Sequence, residues 1–556
     1  MVECLETKKS NCKNCYKCIR NCPVKSIKFY DGQAHIIRDE CVLCGECYVV
    51  CPQNAKKIRN DADRVLALLD GQREVYVSLA PSYAAWYEGR NLHDMRAALL
   101  GLGFAGAEET AVGAAIVKKE YEKMAEEGKN IIISSCCHTV NTLIERHYEN
   151  ALPYLARVVS PMQAHAKQLK EEHPGCAVVF VGPCISKKAE AEKYPEYVDV
   201  VLTFEELDGL FEQKGTLPEK SGESEEGHRT NVFPTTGGII KSMHLKDSMN
   251  YVAIDGMDSC MSALEDIDSG KIHNCFIEMS ACKGSCVGGP LMKHKGRNPV
   301  ADIMAVEKRF SKKDYDVPEE ADGGLLRNFG FEGVQRVMPN SRAIEEVLRK
   351  MGKNSPEKEL NCGSCGYNTC RDKAVAVLNG KADLSMCMPY LQEKAENFSD
   401  TIVSNTPNGI LVLDEELNVQ VINTAARKIL NLASASDVLN NPVVRILDPF
   451  DYVMALSEGK NVYDKSKYLA EYQKYIEETI IYDKEYHIIL VIMKDVSREE
   501  EIRLSKEEKS KAAVEITDKV VEKQMRVVQE IASLLGETTA ETKIALTKLK
   551  ETLSNE

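Results

Sequence analysis

Regularly spaced cysteines are the residues of this chain with the most evident chemistry. One spacing occurs twice near the N-terminus, each time closed by a proline: Cys12-x2-Cys15-x2-Cys18-x3-Cys22-Pro23 and Cys41-x2-Cys44-x2-Cys47-x3-Cys51-Pro52. In this pattern each run gives three thiolates to one 4Fe–4S cluster and the fourth to the other. The predicted sets are Cys12, Cys15, Cys18 and Cys51, and Cys22, Cys41, Cys44 and Cys47. Zinc knuckles are the alternative, but they rarely use four cysteines in such a run.

Two further groups of cysteines follow. Four of them have ligand spacing: Cys362-x2-Cys365-x4-Cys370-x16-Cys387. Four cysteines alone do not distinguish a 4Fe–4S cluster from a mononuclear zinc site, and we prefer a cluster because the chain already carries two. The other group is spread over three distant segments: Cys136, Cys137, Cys184, Cys282 and Cys286.

The region that contains this dispersed group has a mixed α/β pattern. Apolar runs at 75–79, 131–133 and 178–181 alternate with helical stretches at 92–102 and 114–126. In α/β folds the loops at the carboxyl ends of strands build the site. Each segment of the dispersed group directly follows an apolar run, so we expect the three segments to meet.

Three segments resemble the signatures of the iron-iron (FeFe) hydrogenases. They are Ser134-Ser135-Cys136-Cys137-His138, the stretch from Gly182 to Glu190, and the stretch from Glu278 to Pro290. The N-terminal block resembles a bacterial two-cluster ferredoxin, and the resemblance covers about the first 350 residues. The set from Cys362 to Cys387 resembles the 4Fe–4S module of some electron-transport and corrinoid-reducing proteins.

The resemblance implies specific roles. Cys137, Cys184, Cys282 and Cys286 would ligate the cubane of the H-cluster, and Cys286 would also bridge to a diiron subsite that carries CO, cyanide and a bridging dithiolate. Lys187 matches the lysine that donates to an iron-bound cyanide. Cys136 matches the cysteine that passes protons to the diiron unit.

Several positions depart from the family's catalytic pattern. Gly182 and Ser280 stand where methionines are usual, which implies a less packed and more polar surrounding of the diiron unit. A lysine interrupts the expected carboxylate relay in residues 117–122, and the segment from Ser160 lacks the family's first glutamine. These departures favour slow turnover or a sensory role. The residues expected around the diiron unit are Pro81, Ser82, Ser160, Gly182, Pro183 and Ser280.

From Leu391 to Ser497 the chain has no cysteine and resembles a PAS sensor domain. A predicted hairpin over 410–422 leads into a helix capped by Asn423, and strands follow at 479–482 and 487–493. We interpret His487 as a half-exposed sheet residue rather than a haem ligand, and we expect no cofactor in this domain.

The C-terminal tail carries an apolar seam with alternating steps of four and three: Val521, Met525, Val528, Ala532, Leu535, Thr539, Thr542, Leu546, Leu549 and Leu553. This heptad pattern predicts a dimeric coiled coil or a helical hairpin, the alternative being a helix folded onto its own core. No histidine follows His487, so the tail cannot accept a phosphoryl group as a histidine kinase does. We therefore expect its output to act on another protein.

Composition limits the functional classes. The chain has 556 residues, a net charge of −14 and 21 cysteines. The acidic charge argues against nucleic-acid binding, and no apolar run approaches the roughly 18 residues of a membrane span. No signal core precedes Cys12, so the cysteines indicate metal clusters in a reducing cytoplasm.

We therefore expect a multidomain α+β and α/β protein. The expected domains are a two-cluster ferredoxin domain (1–60), an FeFe-hydrogenase H-domain (61–352), a 4Fe–4S module (353–392), a PAS domain (393–500) and a dimerising helical tail (501–556).

The expected function is a sensory FeFe hydrogenase that oxidises H2 reversibly to protons and electrons at low turnover. Expected partners are H2, a ferredoxin-like or dye electron carrier, maturation proteins, a second copy of the chain, and a signalling kinase or serine/threonine phosphatase. The alternatives are a catabolic ferredoxin-linked hydrogenase and a non-enzymatic iron-sulfur protein without the diiron subsite.

Overall fold

The computed structural model describes residues 4–8, 11–222, 226–294, 296–297, 299–317, 324–333 and 338–553. The chain divides into two compact units, Met1–Leu391 and Gln392–Glu556. In the described residues no helix combines the length and the apolar character that crossing a bilayer requires.

The first unit begins with two small antiparallel ribbons around short helices. Leu5–Thr7 pairs with Lys56–Ile58, and Ile27–Tyr30 pairs with Gln33–Ile36. The helices Lys17–Arg20 and Glu46–Val49 are each preceded by a residue in the left-handed region.

Two parallel sheets follow. The strand order of the first is Gly106–Glu109, Val75–Leu79, Ala177–Gly182, Val200–Thr203, and that of the second is Asn250–Asp255, Cys275–Ser280, Ile131–Ile133. Continuous apolar runs such as Ala177–Gly182 are buried along their whole length, as parallel strands covered on both faces should be. The mixed α/β architecture expected from the sequence is confirmed.

Helices cover both sheets, and several begin at clear caps. Asn91 and Thr203 form capping boxes at two of them. The α-helices are Ala62–Leu69, Tyr83–Trp86, Leu92–Leu102, Ala111–Glu126, His138–His147, Pro161–Glu172, Ser186–Lys193, Phe204–Lys214, Gly238–Ser242, Met257–Asp268, Pro290–His294, Pro299–Glu307 and Ser341–Lys350. Short 3-10 turns occupy Glu149–Tyr154, Arg229–Val232 and Ser285–Gly288.

The segment with the third cysteine set is small and irregular. Its helix Cys370–Leu378 begins at a Thr369 capping box, between 3-10 turns at Pro356–Lys358 and Leu384–Met386. Helix Met388–Asn405 follows. Because so little regular structure is present, its loops depend on contacts with the rest of the first unit.

The second unit contains a five-stranded antiparallel sheet in the order 2-1-5-4-3. Its strands are Gly409–Asp414, Val419–Ile422, Val462–Leu469, Lys474–Asp483 and Ile488–Asp495, and its helices are Thr424–Ile429 and Phe450–Glu458, with 3-10 turns Ala435–Asp437 and Val443–Arg445. Asn423 caps the first helix as predicted, accepting from the Ala426 N–H at 2.8 Å.

The prediction for His487 was wrong. It lies in a turn with a φ of 54° rather than in a strand, and its exposed ring contacts Glu415 at 2.9 Å.

The tail is one continuous helix, Ser497–Leu553. The seam side chains that the structure describes, including Val528 and Leu535, are exposed in the single chain. A helix folded onto its own core, or a helical hairpin, does not agree with this geometry. The side chains of Thr539, Leu549 and Leu553 lie outside the described residues.

Candidate metal centre

The N-terminal block gathers the first predicted set around one space. A small cavity is lined by all four of its thiols, Cys12, Cys15, Cys18 and Cys51. The Ala55 N–H donates to the Cys51 sulfur at 3.3 Å, and such bonds favour the thiolate over the thiol. The donor set therefore fits a 4Fe–4S cluster.

The second set is more deeply buried. Burial raises the pKa of Cys41 and Cys47, and neighbouring thiols of the same set raise it further. The Ser26 N–H donates to the Cys22 sulfur at 3.3 Å. Thiols that are buried together and oppose one another's ionisation become thiolates when iron shares the site. This set, completed by Cys44, fits a cluster for that reason.

The third set also shares one space. Cys362, Cys365, Cys370 and Cys387 line a small cavity with Lys373 on its wall. Burial lowers the pKa of Lys373 to about 8, against the opposing effect of the nearby thiols. In the described part of the chain no three His, Cys, Asp or Glu side chains are arranged to hold a single metal ion.

The three dispersed segments lie at the carboxyl ends of parallel strands, as the sequence predicted. The Ser134 N–H donates to the Ile277 carbonyl at 3.0 Å, which ties the Cys136–Cys137 loop to the strand that precedes Cys282. The backbone at Gly289 lies where the loop that contains Cys184 meets the loop that contains Cys282 and Cys286. A Cβ there would lie 3.1 Å from the Cys286 carbonyl oxygen, 3.6 Å from that of Pro183 and 3.9 Å from the Cys282 sulfur.

The four expected ligands of this centre act on one another electrostatically. Burial raises the pKa of Cys184 to about 11 and that of Cys286 to about 12, and Cys137 opposes the ionisation of both. The pKa of Cys282 is raised by burial, then by Cys184 and Cys137. Four thiols that affect one another's ionisation form a site whose chemistry suits iron.

Lys187 is buried beside these thiols as a cation. Its Nζ lies 2.6 Å from Glu190 Oε2 and donates to the Cys136 carbonyl at 3.2 Å. Burial opposes its charge, but Glu190 outweighs burial and raises the pKa of Lys187. Ser160 donates to the other oxygen of Glu190 at 2.5 Å. Ser160 therefore helps to fix the lysine rather than contacting the centre through its own hydroxyl.

Cys136 has a hydroxyl partner that the sequence argument did not identify. The Tyr121 hydroxyl lies 3.1 Å from the Cys136 sulfur and 3.1 Å from Ser135 Oγ, and it accepts the Ser135 N–H at 2.8 Å. Ser135 Oγ donates its proton to the Val158 carbonyl at 2.8 Å. Burial raises the pKa of Cys136 to about 12, while the Tyr121 hydrogen bond lowers it.

The protons in this cluster can be counted. Since Ser135 gives its only hydroxyl proton to a carbonyl, the Tyr121 proton goes either to Ser135 Oγ or to the Cys136 sulfur. In the first arrangement the Cys136 S–H points at Tyr121, and in the second it is free to point elsewhere. The tyrosine therefore controls the direction of the thiol proton. Its position within residues 117–122 was the available sequence signal, because this segment was expected to serve the proton path.

Lys118, in the same helix, points to a different partner. Its Nζ lies 2.5 Å from Asp314 Oδ1 and 3.9 Å from Glu122 Oε1, and its side chain is almost fully buried. The expected interruption of a carboxylate relay thus takes the form of an ion pair between a buried lysine and an exposed aspartate. Asp314 is 196 positions away in sequence, which explains why no local pattern indicated it.

The departures at Gly182 and Ser280 have different consequences. A Cβ at Gly182 would lie 2.9 Å from the Phe180 ring and 3.0 Å from the Ala80 Cβ. The expectation of looser packing is therefore wrong at Gly182, because an aromatic ring already occupies that space. At Ser280 the expectation of polarity agrees with the geometry, since its hydroxyl lies 2.9 Å from Ser285 Oγ.

Pro81 and Ser82 lie next to this position. The Ala80 N–H donates to the Val181 carbonyl at 2.9 Å, which brings the loop beside Gly182 and Pro183. Ser82 is fully buried, and its Oγ has no hydrogen-bond partner in the described part of the chain.

Comparison with known proteins gives the class of each region. Residues 73–290 match the model of the iron only hydrogenase large subunit, C-terminal domain, residues 11–61 match a 4Fe-4S dicluster domain, and residues 359–389 match a putative Fe-S cluster model. Residues 73–290 are therefore similar to the hydrogenase family, and residues 11–61 are similar to two-cluster 4Fe–4S domains. The hydrogenase match covers 218 of the 556 residues, less than half of the chain.

Two curated relatives share parts of the chain. The large subunit of a periplasmic Fe hydrogenase from Nitratidesulfovibrio vulgaris is 24% identical over 356 residues, which are 50% of this chain and 84% of the relative. One subunit of an ion-translocating oxidoreductase complex from Methanosarcina acetivorans is 38% identical over 48 residues, 9% of this chain and 18% of that protein. Because the first relative is periplasmic, a cytoplasmic location stays a prediction.

Solved structures resemble separate parts of the chain. A variant FeFe hydrogenase from Chlamydomonas reinhardtii has 16% identity and a TM-score of 0.39, and the match covers 50% of this chain and all of that one. The PAS domain of nitrogen regulation protein NR(II) from Vibrio parahaemolyticus has 21% identity and a TM-score of 0.15, covering 17% of this chain and 96% of that one.

Proposed function

We propose that this chain is a sensory FeFe hydrogenase that binds and slowly oxidises H2. The observation that carries the proposal is the meeting of four cysteines from three strand ends, with Cys136 and Lys187 beside them. The hydrogenase match over residues 73–290 supports it. The rival functions are a fast catabolic hydrogenase and an electron carrier without the diiron subsite.

The proposed site divides its tasks among this chain's own residues. Cys137, Cys184, Cys282 and Cys286 would hold the cubane and its diiron subsite, which when bound supplies the open iron position where H2 is split heterolytically. Lys187 presents a buried ammonium, oriented by Glu190, to the anionic ligands of that subsite. Cys136 would hold and release the proton, with Tyr121 setting the direction of its S–H bond.

The remaining regions fit a relay rather than a metabolic enzyme. We assign the sheet of the second unit to a PAS domain because its strand order is 2-1-5-4-3. The helix Ser497–Leu553 leaves an exposed apolar seam that pairing with a second copy would cover. The redox state of the clusters would bias that pairing, which a kinase or a serine/threonine phosphatase would read.

Infrared spectroscopy after maturation with the hydrogenase maturation proteins tests the proposal first. Bands of iron-bound CO and cyanide are expected. Their absence from protein whose 4Fe–4S clusters are loaded would leave only the electron carrier. H2 turnover with reduced dye then distinguishes the sensory from the catabolic hydrogenase hypothesis, since rapid H2 evolution would favour the catabolic function.

The role of Cys136 is tested by Cys136→Ala in the matured protein. Loss of a positioned proton donor should lower H2 turnover by about 10²–10⁴-fold. Cys275→Ala is the matched control, because Cys275 is also a buried free thiol but lies at the start of its strand, away from the strand ends. Turnover retained in Cys136→Ala would show that the proton takes another route.

The sensory role is tested by the state of the tail. Full-length protein spin-labelled at a cysteine introduced near Val528 should give different inter-chain distance distributions under H2 and under N2. Identical distributions in matured, H2-oxidising protein would refute signalling through the tail while leaving the hydrogenase assignment intact.

A further inference from the structure

The small third module is held against one part of the ferredoxin block by an unusual lysine. Lys25 has a φ of 49°, and its Nζ donates to the carbonyls of Arg20 at 2.9 Å, Ile19 at 3.4 Å and Gly366 at 2.9 Å. Two of these carbonyls belong to the ferredoxin block and one to the loop next to Cys365. One ammonium therefore links both segments.

The main chains approach closely at the same point. A Cβ at Gly366 would lie 2.9 Å from Ile19 Cγ2 and 3.1 Å from the Arg20 nitrogen, and the residue has a φ of +94°. Arg20 Nη2 donates to the Ser364 carbonyl at 2.9 Å. On the other side, the Phe29 N–H donates to the Lys381 carbonyl at 3.0 Å. These contacts form an interface that only glycine permits at position 366.

On the ferredoxin side of this interface, the thiol that acts on both Lys25 and Tyr367 is Cys22, a member of the second set. Both Cys22 and Cys365 act on the Lys25 ammonium, and the same two thiols act on the buried Tyr367 hydroxyl. Cys22 and Cys44 also line a cleft of about 650 Å³ together with Cys282 of the hydrogenase domain. By contrast, Cys12, Cys15, Cys18 and Cys51 enclose a separate cavity.

We propose that Lys25 is a positioning residue at a three-way junction. It fixes the Cys365 loop against the Cys22 loop, so that the set containing Cys22 and Cys44 lies between the hydrogenase thiols and the third set. The set of Cys12, Cys15, Cys18 and Cys51 then lies outside the electron path that connects these two centres. The consequence for signalling rests on the proposed function, but the junction itself does not.

A rival junction would run through Tyr16, because Cys12 and Asp383 both act on its hydroxyl. It is less well supported, since Asp383 carries no thiol, whereas Lys25 and Arg20 donate directly to the Cys365 loop. The two junctions predict that a different ferredoxin cluster couples magnetically to the third cluster. The Lys25 junction predicts the Cys22–Cys44 cluster, and the Tyr16 junction predicts the Cys12 cluster.

Electron paramagnetic resonance of the full chain, loaded with 4Fe–4S clusters but without the diiron unit, tests the junction. The signals of the two ferredoxin clusters are assigned with Cys15→Ser and Cys44→Ser. Removing the third cluster with Cys365→Ser should then slow the spin relaxation of the reduced Cys22–Cys44 cluster and leave the Cys12 cluster unchanged. A change confined to the Cys12 cluster, or no change in either, would overturn the proposal.

Lys25→Met tests the lysine itself, with Lys28→Met on the neighbouring strand as the control. Loss of the half-buried ammonium should lower the reduction potentials of the Cys22–Cys44 cluster and of the third cluster, because a nearby cation favours the more negative state. The Cys12 cluster should keep its potential. Equal effects of both substitutions, or a shift in the Cys12 cluster, would remove Lys25 from this role.

A second variant keeps the test decisive if Lys25→Met does not fold. Gly366→Ala places a methyl group against Ile19, whereas Gly380→Ala, also at positive φ, meets nothing within 4 Å. Gly366→Ala should abolish the relaxation coupling and speed hydrogen exchange at the Phe29 amide, and Gly380→Ala should do neither. These readouts need no H2, so a failure of the junction is distinguishable from a failure of the hydrogenase assignment.

Discussion

The hydroxyl of Tyr121 offers the sharpest test of the proton-handling site. In Tyr121→Phe the aromatic ring remains and keeps its contact with Phe276, whose ring centroid lies 5.5 Å away. Only one oxygen is removed, together with its contacts to Cys136 and Ser135. The variant therefore separates hydrogen bonding from packing.

The structural cost follows from the lost acceptor. The buried Ser135 N–H donates to the Tyr121 hydroxyl at 2.8 Å and would be left without that partner. An unsatisfied buried donor costs about 1–3 kcal/mol. Because ring burial is unchanged, we expect a destabilisation in this range and no additional cavity penalty.

The functional effect is on the direction of the Cys136 S–H bond. Without the hydroxyl, the thiol loses both its acceptor and its donor, so its S–H stretching band should shift to higher frequency. The band is measured by infrared difference spectroscopy of protein that lacks the diiron unit, with Cys136→Ala to assign it. After maturation, H2 turnover should fall, because the thiol proton is no longer oriented.

Tyr251→Phe is the matched control. Tyr251 also packs on Phe276, at 6.0 Å, and its hydroxyl also accepts a main-chain N–H, that of Lys246 at 3.0 Å. It should cost less stability, because the Lys246 N–H is only partly buried and water can replace the lost acceptor, and it should leave the Cys136 band in place. If Tyr121→Phe left the band as unchanged as the control does, the assignment of Tyr121 would be wrong.

Two further substitutions test the surrounding structure. Gly182→Ala forces a methyl group against Phe180 and should destabilise the protein by about 1–3 kcal/mol, seen as faster hydrogen exchange in strand Ala177–Gly182. Gly209→Ala, which has open space around it, should not destabilise the protein. Equal effects of the two substitutions would refute the packing argument. In the second unit, burial raises the pKa of Glu478, whose Oε1 accepts from Tyr452 at 2.6 Å and whose Oε2 has no partner in the described residues. A raised pKa makes the protonated form favour folding, so stability is lost as pH rises above the unfolded value of about 4.3. Glu478→Gln should remove this loss, measured as slower hydrogen exchange in Lys474–Asp483 at pH 7, whereas Glu477→Gln should not; a variant no more protected than the wild type would contradict the assignment.

The parts of the fold that the sequence predicted depend on local patterns. The helix Leu92–Leu102 was expected at those bounds from its helical pattern, and in the structure Asn91 and Gly103 cap it. The dispersed thiols were expected to meet because each follows a buried parallel strand. These inferences need no knowledge of distant contacts.

The parts that the sequence did not predict depend on distant contacts. Strand Val462–Leu469 is an edge strand with mostly exposed polar residues, so it has no alternating apolar signal. The Lys118–Asp314 pair and the Phe180 ring beside Gly182 arise from packing between separate elements. The Tyr121–Cys136 contact likewise requires the helix and the loop to be placed together.

The hydrogen bonds around Cys136 also bear on turnover. The described hydrogen bonds lead from the Cys136 sulfur to the Tyr121 hydroxyl, then to Ser135 Oγ, and end at the Val158 carbonyl. A carbonyl oxygen accepts a hydrogen bond but has no proton of its own to pass on. Lys118, one helical turn before Tyr121, is held by Asp314 instead. Proton exchange at Cys136 along the described side chains of this helix therefore requires one of them to move. We propose that this motion slows turnover, which a sensor tolerates because it needs only to change its redox state.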